Sequence, residues 1–375
     1  MSFSDLAHEA LAVQGGTFVD PPVIMQASIP LELSGEAVRS RICTFVDGQS
    51  NEWALRPDLT LPVAQTEVAE RQAEDTGETL KRYRGRIFRL PALEGEPIEY
   101  EQIGIEKFGA TQSVDEDIWL FKTLSDVCAT GGVKNAHACF GDLSIFPAFV
   151  DALEFPDEIQ AGLKRAFRQA GGVRAYLSAL KTKRSGIAAR VSGMSRDDIG
   201  AFVEDIFAIT GVRPVGERTA DEITERLAQR ARLASGYELS EDQSSVLQGL
   251  LNLNCPLQDA STALDQLATG LDNDALQIAL AQFRTRAAEL VPMSNAYFKS
   301  APHFATRFGR RFTYYDGFVF EVAENNSADA IKRPFLAGGR YDSLLADLSN
   351  GAVSATAVGG VIMPHRLPLR LGETQ

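Results

Sequence analysis

Short apolar runs separated by turns mark the N-terminal part of the chain. Segments 44–47, 53–56, 87–90 and 98–108 read as short apolar runs between turn residues and predict strands of an antiparallel sheet. Segment 29–42 instead carries apolar residues near helical spacing, which predicts an early helix packed on that sheet. The chain therefore begins with a predicted sheet and a helix against it.

Helical patterns replace the strand signals in the middle of the chain. Residues 115–130 predict an amphipathic helix that stops at Gly131 and Gly132, and residues 136–140 predict a strand. Long helical patterns then follow at 196–210, 220–234 and 274–290. We interpret residues 151–290 as a helical domain inserted into the sheet domain.

Strand signals return at the end of the chain, in segments 312–322, 335–341 and 356–362. The sheet that begins early is therefore expected to be completed late. The predicted sheet domain comprises residues 1–150 and 291–375, and the predicted fold class is α+β.

Composition limits the possible functions. A length of 375 residues with 45% apolar residues predicts about two globular domains. The net charge of −13 argues against a nucleic-acid partner, because such binding depends on Lys and Arg neutralising phosphates. No basic leader and no run of 18 apolar residues is present, so neither secretion nor a membrane partner is expected.

The four cysteines show no spacing typical of metal ligands, so no metal site is predicted. Their mostly apolar surroundings are typical of reduced core thiols, which favours a cytoplasmic location. No motif for a bound cofactor occurs, and the four isolated histidines are interpreted as structural.

Two polar residues end the strand at 53–56. Asp58 and Thr60 are two positions apart, so in an extended chain they face the same way and can converge on a cation such as an α-ammonium group. The alternative is that Asp58 simply caps a helix.

The segment 83–109 predicts a hairpin with Gln102, Gly104 and Glu106 on one face of its second strand and Arg89 on its first. Buried Gln and Glu are costly without polar partners, by about 1 to 3 kcal/mol each. Either a ligand or a core arginine is expected opposite Glu106.

Two further clusters lie near the end of the chain. In the segment 310–321, Arg310 is suited to hold a carboxylate, and Tyr314 and Tyr315 can hydrogen-bond an imidazole, although tyrosines in a strand usually serve packing. The segments 337–342 and 357–367 are rich in glycine, which suits close approach of the backbone to a ligand.

Taken in order, these clusters resemble the signature of class II aminoacyl-tRNA synthetases, and of histidyl-tRNA synthetase in particular. LRPDLT (55–60) resembles LRPE-x-T, and FR (88–89) followed by EQIGIEKFG (101–109) resembles motif 2. RRFTYYDGFVFE (310–321) resembles RGLDYY…FE, AGGRYD (337–342) resembles GGGRYD, and AVGGVIMPHRL (357–367) stands at the place of motif 3. The resemblance implies a class II synthetase-like antiparallel sheet flanked by helices.

The resemblance also implies a histidine pocket, formed by Asp58, Thr60, Gln102, Glu106, Arg310, Tyr314 and Tyr315. The first three would receive the α-ammonium group, Arg310 the carboxylate, and Glu106 with Tyr315 the imidazole nitrogens. Asp58 is one methylene shorter than the family's usual Glu. Arg89 and Arg366 match the arginines of motifs 2 and 3, and are interpreted as the remnant of a nucleotide and phosphate site.

The catalytic signature is incomplete. Pro91 and Ala92 replace the acid and the second arginine of FR-x-ER, and Glu96 falls where an arginine is expected on the triphosphate. A carboxylate at that position would repel phosphate by about 1 to 4 kcal/mol. The sequence extends only nine residues beyond Arg366 (375 − 366), which leaves no room for an anticodon-binding domain. No catalytic residue is therefore predicted.

This combination resembles a non-catalytic branch of the family, the regulatory subunits of ATP phosphoribosyltransferase. That resemblance implies a homodimer within a hetero-oligomer with the short-form catalytic subunit, activation of that subunit, and feedback inhibition by L-histidine in the first step of histidine biosynthesis. Two alternatives stay open. One is a histidine-activating enzyme, favoured by Arg89 and Arg366, and the other is a scaffold with a vestigial pocket.

Overall fold

The computed structural model describes residues 2–74, 77–92, 94–111, 113–169, 171–181, 187–210, 220–232, 237–308, 313–324 and 333–367. The chain forms two compact units, Met1–Ala152 with Gln248–Gln375, and Leu153–Leu247. The described strands are β1 (Thr17–Phe18), β2 (Ile24–Gln26), β3 (Thr44–Val46), β4 (Glu52–Leu55), β5 (Thr79–Phe88), β6 (Glu99–Phe108), β7 (Ala136–Asp142), β8 (Asn254–Pro256), β9 (His303–Ala305), β10 (Phe318–Glu324), β11 (Leu336–Arg340) and β12 (Ala357–Ile362).

The described helices in chain order are α1 (Phe3–Ala12), α2 (Ser28–Leu33), α3 (Glu36–Arg39), α4 (Thr60–Ala73), α5 (Val114–Thr130), α6 (Ile145–Ala152), α7 (Asp157–Phe167), α8 (Gly172–Lys181), α9 (Ile187–Arg190), α10 (Arg196–Thr210), α11 (Ala220–Arg232), α12 (Glu241–Asn252), α13 (Leu257–Leu267), α14 (Asp274–Tyr297) and α15 (Leu344–Leu348). A 3-10 turn, Pro364–Arg366, follows β12. No helix among the described residues is long and apolar enough to cross a membrane.

The first unit is built on a nine-stranded sheet with the strand order β1-β5-β6-β12-β11-β10-β7-β9-β8. Strands β10, β11 and β12 come from the end of the chain, yet they lie between the early strands β6 and β7. The prediction that a sheet begun early is completed late is thereby confirmed, and so is the α+β fold class. A separate small sheet has the order β2-β4-β3.

The two faces of the large sheet differ at strand β12. A Cβ atom on Gly360 would meet Leu124 of α5, whereas a Cβ atom on the neighbouring Gly359 would meet the Glu106 carboxylate. Successive residues of a strand point to opposite faces. The helix α5 therefore lies on one face, and Glu106 lies on the other.

A buried network of ion pairs fastens the helical face. The carboxylate of Asp117 in α5 accepts hydrogen bonds from Arg286 Nε of α14 and Arg340 Nε of β11, both at 2.9 Å. Arg286 also donates to Asp142 at the end of β7, at 2.6 Å. These four side chains are all buried. The pairs join two helices to two strands, so the network stabilises the packing of this face.

One expectation about the helices is wrong, and the expected domain division stays a prediction. The single early helix expected at 29–42 is wrong, because the extended backbone at Ser34 and Gly35 divides it into α2 and α3. The domain division stays a prediction, but the compact helical unit spans 153–247 rather than 151–290. The helices α13 and α14 belong to the first unit, where Arg286 joins the ion-pair network.

Candidate functional site

Glu106 of β6 is the centre of a polar cluster on the face opposite α5. Its carboxylate is fully buried and accepts hydrogen bonds from Thr60 Oγ1 and Tyr83 Oη, each at 2.7 Å, and from the hydroxyl of Tyr341. All three donors are neutral hydroxyls. No cationic side chain among the described residues hydrogen-bonds this carboxylate, so its negative charge is costly whenever the group is ionised.

Asp58 lies beside this cluster, at the entry to α4. Its Oδ1 accepts a hydrogen bond from the backbone N–H of Leu61 at 3.0 Å, a contact of the helix-capping kind, although the N-cap position of α4 is Leu59. Its Oδ2 is buried and has no hydrogen-bond partner among the described residues. One carboxylate oxygen of Asp58 thus serves the fold, and the other lies in the site with its hydrogen-bonding capacity unused.

The geometric reason given for pairing Asp58 with Thr60 is wrong, because Thr60 is the first residue of α4 and not part of an extended segment. The turn into the helix sends the Thr60 hydroxyl to Glu106 instead. Gln102 is buried, and its Oε1 accepts a hydrogen bond from Leu59 N at 3.1 Å, which joins β6 to the start of the same helix. The turn before α4 is therefore tied to β6 at two points.

Burial dominates the titration of both carboxyls. It raises the pKa of Glu106 from 4.5 to about 7, even though the hydroxyls of Tyr341, Tyr83 and Thr60 oppose the change. It also raises the pKa of Asp58, against the Leu61 N–H and the positive charge of Arg89. The negative charge of Asp58 also raises the pKa of Glu106. The site is therefore suited to a ligand that brings positive charge.

Glycine creates the room for this arrangement. An ideal Cβ on Gly359 would lie 1.4 Å from Glu106 Oε2, and one on Gly104 would lie 2.3 Å from Tyr83 Oη. No side chain larger than hydrogen fits at either position without displacing the cluster. The glycine-rich segment identified in the sequence thus provides space for a polar site.

Tyrosines form one wall of the site. The rings of Tyr314 and Tyr315 lie 4.8 Å apart, centroid to centroid, and Tyr341 lies 5.7 Å from the first and 6.0 Å from the second. Burial and the nearby negative charges, including that of Glu106, raise the pKa of Tyr314 and of Tyr315, which keeps both hydroxyls protonated as donors. Arg310, predicted to hold the ligand carboxylate, lies outside the described residues.

The two arginines interpreted as the remnant of a nucleotide site lie around Tyr100, the second residue of β6. The guanidinium carbon atoms of Arg89 and Arg366 lie 6.0 and 5.3 Å from the centre of the Tyr100 ring. Arg89 also donates to the carbonyl oxygen of Pro57 at 2.6 Å. The two arginines matched by resemblance therefore share one aromatic ring.

Glu96 does not simply present a repulsive charge there, as the sequence suggested. Its Oε2 lies 3.0 Å from Arg41 Nη2, and its Oε1 lies 3.6 Å from Arg333 Nε. Although burial raises it, the pKa of Glu96 is held below its ordinary value by the Ala92 N–H and by these arginines. The carboxylate is neutralised within the protein.

Sequence reasoning missed four residues of these two clusters: Tyr83, Tyr341, Arg41 and Arg333. For Tyr83 a signal existed, because it pairs with Gly104 across the hairpin, and a tyrosine opposite a glycine can lean over the neighbouring strand. Arg41 and Arg333 come from distant segments that no local pattern connects with the hairpin.

Comparison with known proteins identifies the family of the chain. A family model for histidyl-tRNA synthetase matches residues 4–190 and 200–367. A protein from Agrobacterium fabrum named ATP phosphoribosyltransferase regulatory subunit is 31% identical over 90% of this chain and 88% of its own. A protein of the same name from Brucella canis is 30% identical over 95% of this chain and 94% of its own.

Solved structures show the same fold. A structure from Bacillus halodurans, described as an ATP phosphoribosyltransferase regulatory subunit/histidyl-tRNA synthetase, matches 97% of this chain and 76% of its own with a TM-score of 0.63 at 18% identity. A histidyl-tRNA synthetase from Nostoc matches 97% of this chain and 69% of its own with a TM-score of 0.58 at 14% identity. The chain belongs to the histidyl-tRNA synthetase family, together with its relatives named ATP phosphoribosyltransferase regulatory subunit.

Proposed function

We propose that this protein is a non-catalytic regulatory subunit of ATP phosphoribosyltransferase and binds L-histidine at the Glu106 cluster. The names of the relatives at 30% and 31% identity support the regulatory role. The observation that supports a ligand most directly is the buried Asp58 Oδ2, which has no partner among the described residues. A buried acceptor left unsatisfied costs about 1 to 3 kcal/mol, and a cationic ligand removes that cost.

Histidine has two groups that match the two carboxylates. Its α-ammonium group suits Asp58, and its ring, protonated when bound, suits Glu106, so that each buried negative charge gains a positive partner. The Tyr315 hydroxyl, which is hydrogen-bonded with Tyr314, remains protonated. Gln102 accepts a hydrogen bond from the turn that carries Asp58, and Thr60 donates one to Glu106. These two bonds hold both carboxylates in place.

Regulation follows from linkage. In the complex with the short-form catalytic subunit, the active and the inhibited states must bind histidine with different affinities, because a ligand with equal affinity for both shifts neither. In this proposal the subunit activates its catalytic partner when empty and inhibits it when histidine occupies the site.

Synthetase chemistry is lost in this proposal. Glu96 occupies the position expected for a phosphate-binding arginine, and it is held by Arg41 and Arg333. Adenylate formation depends on positive groups placed at the triphosphate, so an internal carboxylate at that point opposes it.

A homodimer within the hetero-oligomer has support from the small sheet. Ile24 of β2 and Phe45 of β3 are 48% and 41% exposed, whereas the alternate residues Met25 and Ala54 are buried. An apolar outer face of this kind suits contact with a second copy. Phe45→Asp should shift the mass measured by light scattering from dimer to monomer, and Val13→Asp, at an exposed valine of another region, should not. A dimer that survives Phe45→Asp contradicts this interface.

The deciding experiment is isothermal titration with L-histidine, first on the protein alone and then with the catalytic subunit present, alongside turnover of the reconstituted complex. Selective binding and inhibition that both disappear in Glu106→Gln, but not in the exposed Glu99→Gln, support the sensor. Binding without any change in turnover removes the regulatory half of the proposal. If histidine binds in neither setting, the remaining alternative is a scaffold with a vestigial pocket.

The enzyme alternative rests on the retained Arg89 and Arg366. Histidine-dependent ATP–pyrophosphate exchange tests it, since robust exchange would show that adenylation survives and would overturn the non-catalytic proposal.

A further inference from the structure

A cavity of about 330 Å³ lies where the helices α5 and α14 meet the ends of strands β7, β10 and β11. All of its lining residues belong to the first unit, and none of them is part of the Glu106 cluster. Small-molecule sites have volumes of about 300 to 1,000 Å³. The cavity is therefore large enough for a small ligand, and it is separate from the site described above.

Carboxylates outnumber guanidinium groups in the lining of this cavity. Its charged side chains are those of Asp117, Asp142, Asp316, Asp342, Arg286 and Arg340. The two arginines balance the first two aspartates within the buried ion-pair network. Asp316 and Asp342 therefore remain as excess negative charge, although Arg340 Nη1 also lies 3.2 Å from Asp342. The lining favours a ligand that brings more positive than negative charge.

Asp316 is held by the backbone and not by a cation. Its two oxygens accept hydrogen bonds from the N–H groups of Asp342 and Ser343, at 3.1 and 2.8 Å, and no cationic side chain within the described part of the chain pairs with it. Burial raises the pKa of Asp316 against these hydrogen bonds, and the charge of Asp342 raises it further. A cationic ligand at this carboxylate would stabilise its ionised form.

Arg286 gives a second, independent indication, because it brings an unused donor to the same cavity. Its side chain is 7% exposed, and its Nε and Nη1 donate to Asp117 and Asp142. Its Nη2 makes no hydrogen bond to any described residue, and its ion pairs do not include Asp316. A guanidinium group has only donors and is matched to carboxylates. The cavity thus presents a buried donor for an anion and a separate acceptor for a cation.

We propose that this cavity binds a basic α-amino acid, with its carboxylate at Arg286 Nη2 and its two cationic groups at Asp316 and Asp342. A zwitterion can span two opposite charges that do not reach each other. The cationic side chain of the ligand offsets the excess negative charge of the lining, which a neutral amino acid cannot do. This proposal goes beyond histidine sensing and does not depend on it.

The first experiment is isothermal titration with L-lysine as the probe. L-Norleucine, which lacks the side-chain ammonium group, and cadaverine, which lacks the carboxylate, should each bind at least about tenfold more weakly. Glu106→Gln should bind L-lysine as the unchanged protein does, because the cavity is separate from that site. Absence of L-lysine binding, equal affinity for either analogue, or loss of L-lysine binding in Glu106→Gln overturns the proposal.

Substitutions at the cavity then test its location. Asp316→Asn should weaken L-lysine binding at least about tenfold, whereas Asp347→Asn, at an exposed residue of α15, should not. Gln282→Lys decides the question if Asp316→Asn does not fold, because Gln282 is an exposed residue of α14 that lines the cavity. Its new cation should also weaken L-lysine binding about tenfold or more, and Gln277→Lys on the same helix is the control.

Equal L-lysine affinity in Gln282→Lys and Gln277→Lys, or in folded Asp316→Asn and Asp347→Asn, overturns the proposal. Titration of Gln282→Lys with histidine separates this cavity from the histidine sensor, because that variant should keep its histidine affinity.

Discussion

Two buried polar clusters lie on opposite faces of the same sheet, and they compensate their charges differently. On the helical face, Asp117 receives hydrogen bonds from Arg286 and Arg340, so charge is balanced within the protein. On the other face, Glu106 receives three neutral hydroxyls, and Asp58 keeps one buried oxygen without a described partner. Burial alone therefore does not distinguish a structural polar cluster from a ligand-binding one. The two are distinguished by whether the protein itself supplies the compensating positive charge.

Because the two clusters compensate their charges differently, substitutions in them are expected to have different effects. When one member is removed from a charge network that is complete within the protein, the folded protein loses stability. A cluster that lacks its cation is already costly, and removal of its charge costs ligand affinity rather than stability. Each of the following substitutions tests one side of that contrast.

The largest expected effect is on stability. Asp117→Asn breaks the ion pairs of Arg286 and Arg340 and should lower the free energy of unfolding by about 3 to 5 kcal/mol, measured by urea denaturation followed by circular dichroism. The control is Asp115→Asn, an exposed residue in the first turn of the same helix, which should change little. Under conditions where the variant is folded, its histidine affinity should be unchanged. A stability loss below about 1 kcal/mol would show that the network is not structural.

The second effect is on binding. Glu106→Gln keeps the shape but cannot balance a protonated ring, so histidine affinity by titration should fall about 100-fold. The free energy of unfolding at pH 8 should not decrease, because a costly buried carboxylate has been removed. Glu99→Gln on the same strand is the exposed control. If Glu106→Gln destabilises the protein and binds histidine normally, the two clusters have the same role.

The third effect concerns the α-ammonium group. Asp58→Asn still caps α4, because Asn accepts the Leu61 N–H as Asp does, but it loses the charge. Histidine affinity should fall about 30-fold with little change in stability. Imidazolepropionate, which lacks the α-amino group, should bind the two forms equally. A loss of affinity for that analogue would mean that Asp58 contacts a part of histidine other than its α-amino group.

The smallest effect is on pH dependence. Glu106 has its pKa raised to about 7, and a free imidazole titrates near 6.5. Above pH 7 both groups have lost their protons, while the bound carboxylate–imidazolium pair holds one, so binding must take up a proton. Affinity should then fall about tenfold per pH unit, as measured by titration between pH 7 and 9. Affinity that stays constant over this range would mean that the ring binds in its neutral form to the ionised carboxylate, since no proton would then be taken up.

The sequence predicted the fold better than the contacts of the site. The hairpin of β5 and β6 and the helix at 114–130 followed from periodicity, because alternation and helical spacing are local properties. Glu106 and Gln102 were placed on one strand face for the same reason. The role of Tyr341 was not predictable, because it depends on the register of β11 with β12 and β12 with β6.

Glu96 shows the same limit in its electrostatics. Its charge was visible in the sequence, and repulsion of phosphate was a fair inference from charge alone. Its partner Arg41 lies 55 residues away, and Arg333 comes from the other end of the chain. Whether a charge repels or is neutralised depends on tertiary neighbours, which local patterns do not contain.

The glycine at position 359 of β12 limits how the site around Glu106 can change over evolutionary time. A site lined by side chains can be enlarged by substitution with smaller residues, whereas a site lined by glycine backbone cannot be enlarged in this way. Any side chain at position 359 would reduce the space around Glu106, because its Cβ would collide with the carboxylate. New ligand preferences in this lineage are therefore expected to arise from the tyrosine wall and the turn before α4, while the strand itself stays fixed.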